Sequence, residues 1–156
     1  METRILVTSK LDYIVWNESF ATGIPAIDKQ HKSLIRLIND IFLLLSKHVD
    51  VVAFRRLVNR LQDYTRTHFA YEEKFMKDIG YPGLPGHVAE HRKLVTETHV
   101  LHTSLPFQTD SATQEMFQVL RRWWVNHICN IDMAYARFHR TAKESNPSSE
   151  TPLTAP

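Results

Sequence analysis

Apolar residues recur every three or four positions over long stretches of this chain, the spacing of amphipathic helices rather than of alternating strands. Four such stretches are present. The first runs from about Ala26 to Ser46, with Leu34, Ile35, Ile38, Ile41, Phe42 and Leu45 as its apolar stripe and Pro25 at a favourable place near its start. The second runs from about Val51 to Asp78. One broad face of it carries Phe54, Leu57, Val58, Leu61, Tyr64, Thr65, His68, Glu72, Phe75 and Met76. Gly80 ends it, and Tyr81-Pro82-Gly83-Leu84-Pro85-Gly86 reads as a loop. The third covers about His87 to Ser104, with Pro106 marking the stop. The fourth starts after Asp110, a good N-cap, and runs to about Thr141. Four helices joined by short loops predict an all-α, up-down-up-down antiparallel four-helix bundle.

The remaining segments read differently. Residues 1–24 form an expected extended N-terminal arm with Tyr13, Trp16 and Phe20 as aromatic anchors, and residues 143–156, rich in Ser, Thr and Pro, an expected disordered tail. One bundle domain over 1–142 suits a chain of 156 residues, with no internal repeat. Nineteen Lys and Arg against seventeen Asp and Glu give a net charge of +2, which offers no pull towards nucleic acid or an anionic membrane. No apolar run approaches the length of a membrane span, and Ile5-Leu6-Val7 is too short for a signal-peptide core. With Cys129 as the one cysteine, no intramolecular disulfide forms, and a reducing compartment, the cytoplasm, is the expected address.

Helical periodicity alone carries no function; the polar residues inside the helices do. Nine His are many for this length. The first helix carries His31, the second His68 and Glu72, the third His87 and His91, and the fourth His127 and Asp132. The pairs His68/Glu72 and His87/His91 are spaced i, i+4 and so project from one face, one turn apart. Any one of these alone reads as a surface or satisfied core group. Five His and two carboxylates spread over four helices, beside Phe69, Phe75, Met76, Trp124 and Ile128, converge on a bundle core instead. Unpaired polar groups there are costly, and metal ligation removes that cost.

Imidazole with carboxylate suits iron, copper, zinc or manganese, and the lack of thiolate disfavours iron–sulfur clusters and structural zinc. Seven ligands are too many for one ion. Two octahedral ions offer about twelve positions. Five His fill five of them, Glu72 and Asp132 fill four if each bridges, and a bridging solvent oxygen fills two, which leaves one open for a small ligand.

The pattern resembles the bacterial hemerythrins. Gly23-Ile24-Pro25-Ala26-Ile27-Asp28-Lys29-Gln30-His31 is similar to the start of that family's domain. So are His68-Phe69-Ala70-Tyr71-Glu72-Glu73, Tyr81-Pro82, His87-Val88-Ala89-Glu90-His91 and Trp123-Trp124-Val125-Asn126-His127-Ile128, with Asp132 five residues on. The likeness covers about Val15 to Phe138 and fills all seven ligand positions of the motif. It implies two iron ions with a bridging oxo or hydroxo group. His87, His91 and His127 would complete one ion, while His31 and His68 would hold the other and leave its open position; Glu72 and Asp132 would bridge. It also implies reversible dioxygen binding for storage, transport or delivery, in a protein that is not an enzyme, within a pocket of Phe69, Trp123, Trp124 and Ile128. Two other readings stand beside it: sensing of oxygen, nitric oxide or redox state, and a di-iron peroxidase or oxidase activity. Expected partners are dioxygen, then nitric oxide, and an oxygen-consuming client enzyme or a separate signalling partner.

Two features depart from a plain reading. Trp124 stands where the family commonly has leucine, three positions before the fourth helix's His. The step from His127 to Asp132 rotates about 140° beyond a full α-turn, so a π-type adjustment is expected around Cys129 to Ile131. His48, His99, His102 and His139 match no ligand position and read as solvated or loosely packed. Cys129 reads as a small buried residue, and Arg55, Arg56, Arg60 and Arg66 as a solvated helix face.

Overall fold

The computed structural model describes residues 14–45, 51–103, 120 and 123–145. Three of its helices are α1 (Pro25–Leu45), α2 (Val51–Asp78) and α3 (Leu84–Thr103). The fourth helix is described from a π-helical segment (Trp123–Ile131) that runs on into α4 (Asp132–Ser145). No strand occurs among the described residues. The chain is an antiparallel four-helix bundle in which α1 packs on α2 and α2 on α3.

The bounds of α2 are those the hydrophobic spacing predicts. The third helix instead takes in Leu84-Pro85-Gly86, which the composition predicts as loop. Proline is tolerated in a first turn, where its missing N–H has no partner to lose. The fourth helix extends to Ser145, beyond the expected end near Thr141. Its expected cap at Asp110, the anchor Tyr13 and most of the expected tail lie outside the described residues.

The core divides into two apolar layers. The larger includes Leu34, Ile38, Ile41, Phe54, Val58, Leu61, Phe69, Trp123 and Ile128. The smaller, towards the other end, gathers Ile24, Ile27, Met76, Tyr135 and Ala136. Along every described helix that joins both layers a polar residue falls between them: His31 between Ile27 and Leu34, Glu72 between Phe69 and Met76, Asp132 between Ile128 and Tyr135. A buried polar stratum is thus sandwiched between two apolar ones.

The described part of the arm, residues 14–24, is held against α1. The Ile14 N–H donates to Asn39 Oδ1 and Asn39 Nδ2 donates back to the Ile14 carbonyl, both at 2.9 Å. Asn17 then caps a short 3₁₀ turn (Glu18–Phe20). The Lys32 ammonium sits 4.6 Å from the centre of the Trp16 ring, a cation–π contact. At the entry to α1, the Asp28 carboxylate accepts from Thr22 N at 2.7 Å, Thr22 Oγ1 at 2.8 Å and Gly23 N at 3.2 Å. Gly23, at φ +78°, supplies the left-handed turn this requires.

At the other end Gly80 closes α2 at φ +64°, and the Tyr81 ring lies directly over Gly83. A Cβ added at Gly83 would stand 2.6 Å from that ring, whereas one at Gly86 would meet nothing within 4 Å. Gly83→Ala is therefore expected to destabilise by about 1–3 kcal/mol through overpacking. Gly86→Ala, inside α3, should stabilise by about 0.5–1 kcal/mol. Thermal denaturation of the two variants checks the pair, and equal shifts would contradict the packing of Tyr81 on Gly83.

Candidate metal centre

The residues that the sequence singles out come together. His31 on α1, His68 and Glu72 on α2, His87 and His91 on α3, His127 in the π segment and Asp132 at the start of α4 are all buried. The two i, i+4 pairs deliver their side chains from single helix faces. His127 and Asp132, five apart, need the π segment. Its backbone bonds join residues five apart and bring i and i+5 nearly one above the other. The adjustment is longer than expected, beginning at Trp123 rather than near Cys129.

The two carboxylates stand at the centre of the imidazoles. Asp132 Oδ1 is 3.3 Å from Nε2 of both His87 and His127, and its Oδ2 is 3.3 Å from His31 Nε2. Glu72 Oε2 is 3.2 Å from His91 Nε2, 3.5 Å from His68 Nε2 and 3.9 Å from His87 Nε2. Glu72 Oε1 is 3.7 Å from His31 Nε2. The atoms resolve into two groups: Glu72, His87, His91 and His127, and His31, His68, Glu72 and Asp132. Within each group the ligand atoms lie within 4.8 Å of one another.

These donors fit a cation better than they fit one another. His68, His87, His91 and His127 Nε2, Glu72 Oε2 and both Asp132 oxygens are buried without a hydrogen bond among the described residues. An unsatisfied buried polar group costs about 1–3 kcal/mol, and more when charged. Neighbouring ligands at about 2.1 Å from one ion stand roughly 3 Å apart, close to the shortest separations here. Two ions sharing Glu72 and Asp132 would satisfy the set.

Three further residues around the centre carry no ligand signature in the sequence. Gln30 Oε1 accepts from His68 Nδ1 at 2.8 Å, and Glu73 Oε1 from His91 Nδ1 at 2.8 Å. Each fixes its ring with Nε2 turned inward, as metal-ligating imidazoles require. The fully buried Tyr135 donates its hydroxyl to Glu72 Oε1 at 2.5 Å. Gln30 and Glu73 sit beside His31 and Glu72 in the motif stretches, but the helices they serve are their neighbours in space. Tyr135 lies three residues after Asp132, on its face of the helix, and that spacing is the one signal pointing to it.

On the opposite side the rings nearest the imidazoles are apolar. Phe69 stacks on His91 with ring centres 3.7 Å apart and planes at 8°, and Trp123 stacks on His127 at 6.0 Å and 23°. Ile128 is fully buried beside them. The Trp124 side chain lies outside the described residues. A cleft of about 230 Å³ between α3 and the π segment reaches Trp123 and His127 and is also lined by Leu94, Asn126 and the charged Glu90, Lys93 and Glu97.

Among the residues without an assigned role, His99 is exposed and His139 half-buried against Phe75; the side chains of His48 and His102 lie outside the described residues. Cys129 is half-buried, and burial with the nearby Asp132 charge pushes its thiol up to about 11, which leaves it inert. Arg55, Arg56, Arg60 and Arg66 are exposed, with Arg66 3.8 Å from Asp63.

Burial acts to lower His31 and His87, but Asp132 and Glu72 outweigh it and hold both at about 9. Burial prevails at His127, which falls to about 4, and at His68, which is also lowered. Burial and the Glu72 charge act to raise Asp132, yet His127, His31 and His87 bring it to about 2; Glu72 is lowered in the same way against its burial. Without a cation, protonated His31 and His87 therefore balance two carboxylates.

A bundle whose core holds five imidazoles and two carboxylates in two cation-sized groups is a helical cation-binding protein. The chain belongs to the hemerythrin family: the hemerythrin HHE cation-binding domain matches residues 22–138. It is similar to the bacteriohemerythrin of Stenotrophomonas maltophilia, 32% identical over 124 residues and 79% of each chain. The bacteriohemerythrin of Pseudomonas aeruginosa is 33% identical over the same extent. The crystal structure of wild-type hemerythrin superposes with a TM-score of 0.68 at 27% identity, covering 80% of this chain and 95% of that one.

The protonation pattern sets a pH dependence. His31 and His87, raised above the ordinary 6.5, stabilise the metal-free fold fully below that value, and the contribution is lost as pH rises to about 9. His127, lowered to about 4, has the opposite sign and costs stability as pH falls below 6.5. Metal-free stability is thus expected to peak around neutrality. A divalent cation must displace the two imidazole protons, so loading at about pH 7.5 should release about two per chain, fading as pH rises through 9. Indicator-dye titration measures this, and no release at pH 7.5 would show His31 and His87 neutral beforehand, whereas release that does not fade above pH 9 would show that the protons come from other groups.

Proposed function

We propose that this protein binds dioxygen reversibly at a non-haem di-iron centre and serves oxygen storage, transport or delivery, as a carrier rather than an enzyme. The observation that carries the reading is the pair of donor groups sharing Glu72, one with three imidazoles and one with two. In it His87, His91 and His127 would hold one ion and His31 and His68 the other, with Glu72 and Asp132 as carboxylate ligands available to both. A bound iron pair would supply the electrons that hold dioxygen.

The chain's own residues supply the rest. Gln30 and Glu73 fix the His68 and His91 rings through Nδ1, and so their tautomers. Tyr135 holds its proton on Glu72 Oε1 and fixes that carboxylate's orientation. Phe69, Trp123 and Ile128 exclude water from the imidazole side, and Trp124 is proposed to join them. Exclusion of water slows protonation and loss of a bound anion, the route by which a carrier would become an oxidase. Five neutral imidazoles against two carboxylates also carry less anionic charge than the four-carboxylate sets of bundle-type di-iron oxygenases, which favours the ferrous pair.

The protein is proposed to work in a reducing compartment, the cytoplasm, where Cys129 stays free; no helix among the described residues is long and apolar enough to cross a membrane. Its partners in this reading are dioxygen, nitric oxide as a competing ligand, and an oxygen-consuming client.

Anaerobic reduction followed by air, with an iron count, tests the reading. Two irons per chain and a visible charge-transfer band that appears in air and disappears under vacuum are expected. Two irons with immediate conversion to a stable oxidised spectrum would instead make the protein a redox sensor or enzyme. Gln30→Ala and Glu73→Ala should each lower metal affinity about 10- to 100-fold while leaving the fold intact. Unchanged affinity in competition titrations would remove them from the site.

A further inference from the structure

The rings at the Tyr135 end of the centre form a continuous set of contacts that oxygen binding does not use. Tyr135 touches His87 with ring centres 5.5 Å apart, Tyr81 at 6.3 Å and Phe75 at 6.0 Å, each edge to face. From Tyr81 the contacts reach Phe138 at 5.4 Å, and from Phe75 they reach His139 at 5.1 Å. Tyr135 is fully buried and Tyr81 half-buried, so the set runs from the centre to the surface. Phenylalanine does not give up an electron readily, whereas tyrosine does if its phenolic proton has somewhere to go. At Tyr135 that acceptor is in place, because the hydroxyl donates to Glu72 Oε1 at 2.5 Å. At Tyr81 solvent serves.

We propose that Tyr135 and Tyr81 form a one-electron relay that carries oxidising equivalents from the centre to the protein surface when the centre meets hydrogen peroxide. The proposal rests on the di-iron reading. Breaking the O–O bond of hydrogen peroxide to give two hydroxides takes two electrons. In a half-reduced centre, one ferrous and one ferric ion, one electron comes from the ferrous ion and the second from Tyr135, whose proton moves to Glu72. Tyr81 then gives an electron to the Tyr135 radical, Glu72 returns the proton to Tyr135, and Tyr81 releases its own proton to neutralise one hydroxide. The products are one water, one hydroxide, an all-ferric pair and a radical on Tyr81, which a small thiol or enediol reductant in solution can repair. The hole thereby leaves before it reaches Met76 or the imidazole ligands, which have no such exit.

The path is selective in this chain. Among the described residues Tyr71, although exposed, makes no ring contact with the set, and Tyr64 donates to the Gln30 carbonyl. Trp123 is the competing donor, since it stacks on His127, but it lies at the apolar side of the centre.

Freeze-quench electron paramagnetic resonance of the iron-loaded, half-reduced protein after addition of hydrogen peroxide tests the relay, with iron counted beforehand. A tyrosyl signal is expected in the natural chain and its loss, normalised per iron bound, in Tyr135→Phe. In Tyr81→Phe the signal should persist severalfold longer, because the radical is stranded on Tyr135. Gly83→Ala, which displaces the Tyr81 ring without altering its chemistry, should lengthen the lifetime as well. Full iron loading with no tyrosyl signal, or a signal indifferent to Tyr135→Phe, would overturn the relay and leave the di-iron reading standing. A tryptophanyl signal would transfer the route to Trp123 and overturn it equally. Failure to load two irons would overturn both.

Discussion

Everything in this structure is arranged around seven charged or polar side chains placed where an apolar bundle should have hydrocarbon. Buried carboxylates lose their hydration and recover it only from paired charge or metal. Among the described residues no arginine or lysine pairs with Glu72 or Asp132; their neighbours are imidazoles and, at Glu72, the Tyr135 hydroxyl. That choice matters because imidazole can compensate a carboxylate in two ways. Protonated, as at His31 and His87, it balances the charge directly. Neutral, as at His127, it offers a lone pair to a cation that balances the charge instead. The metal-free core is close to neutral, and loading becomes an exchange of protons for ions.

That constraint accounts for the unusual stretch of the fourth helix. A regular α-helix presents residues three or four apart on one face, which serves His68 with Glu72 and His87 with His91. The fourth helix must present His127 and Asp132, and a five-residue step in α geometry would send one of them out of the bundle. The π segment keeps both inside, and places Ile128 between them in the apolar layer. A π turn is less favourable than an α turn, and such turns occur frequently at functional sites. Metal ligation at His127 in its middle and at Asp132 just beyond it would make it tolerable here.

The periodicity of apolar residues is enough to place all four helices and to set the bounds of α2, because burial repeats along a helix and a repeat is visible in one dimension. The seven donors are legible for a related reason. Each interrupts an apolar stripe, and imidazoles and carboxylates that interrupt the stripes of four helices at once must meet in the core. The start of α3 is not legible, because Leu84-Pro85-Gly86 has turn composition while proline in a first turn obstructs nothing. Gln30, Glu73 and Tyr135 escape a reading by spacing because each acts on a ligand of another helix. Gln30 on α1 serves His68 on α2, Glu73 on α2 serves His91 on α3, and Tyr135 on α4 serves Glu72 on α2. Such crossings leave no interval to read. The length of the π segment is equally hidden, since the His127 to Asp132 step shows that a correction is needed but not how far it spreads.

The two sides of the centre are chemically unlike, and the difference bears on what the site can do. Phe69, Trp123 and Ile128 offer hydrocarbon and ring faces, with Phe69 stacked flat on His91. That side can shelter a small ligand from water but gives it no proton. Tyr135 offers a hydroxyl, and gives it to Glu72 rather than to the space beyond. A phenol committed to a carboxylate is not free to protonate a ligand, but it remains free to lose an electron, because its proton already has an acceptor. The arrangement thus separates two hazards of oxygen chemistry. In the proposed carrier, the apolar side would slow the proton-driven loss of a bound ligand, and the phenolic side would drain the oxidising equivalents left when that protection fails. A carrier needs the first to keep its ligand and the second to survive its own failures, and here the polar stratum between the two apolar layers holds the two sides on opposite faces.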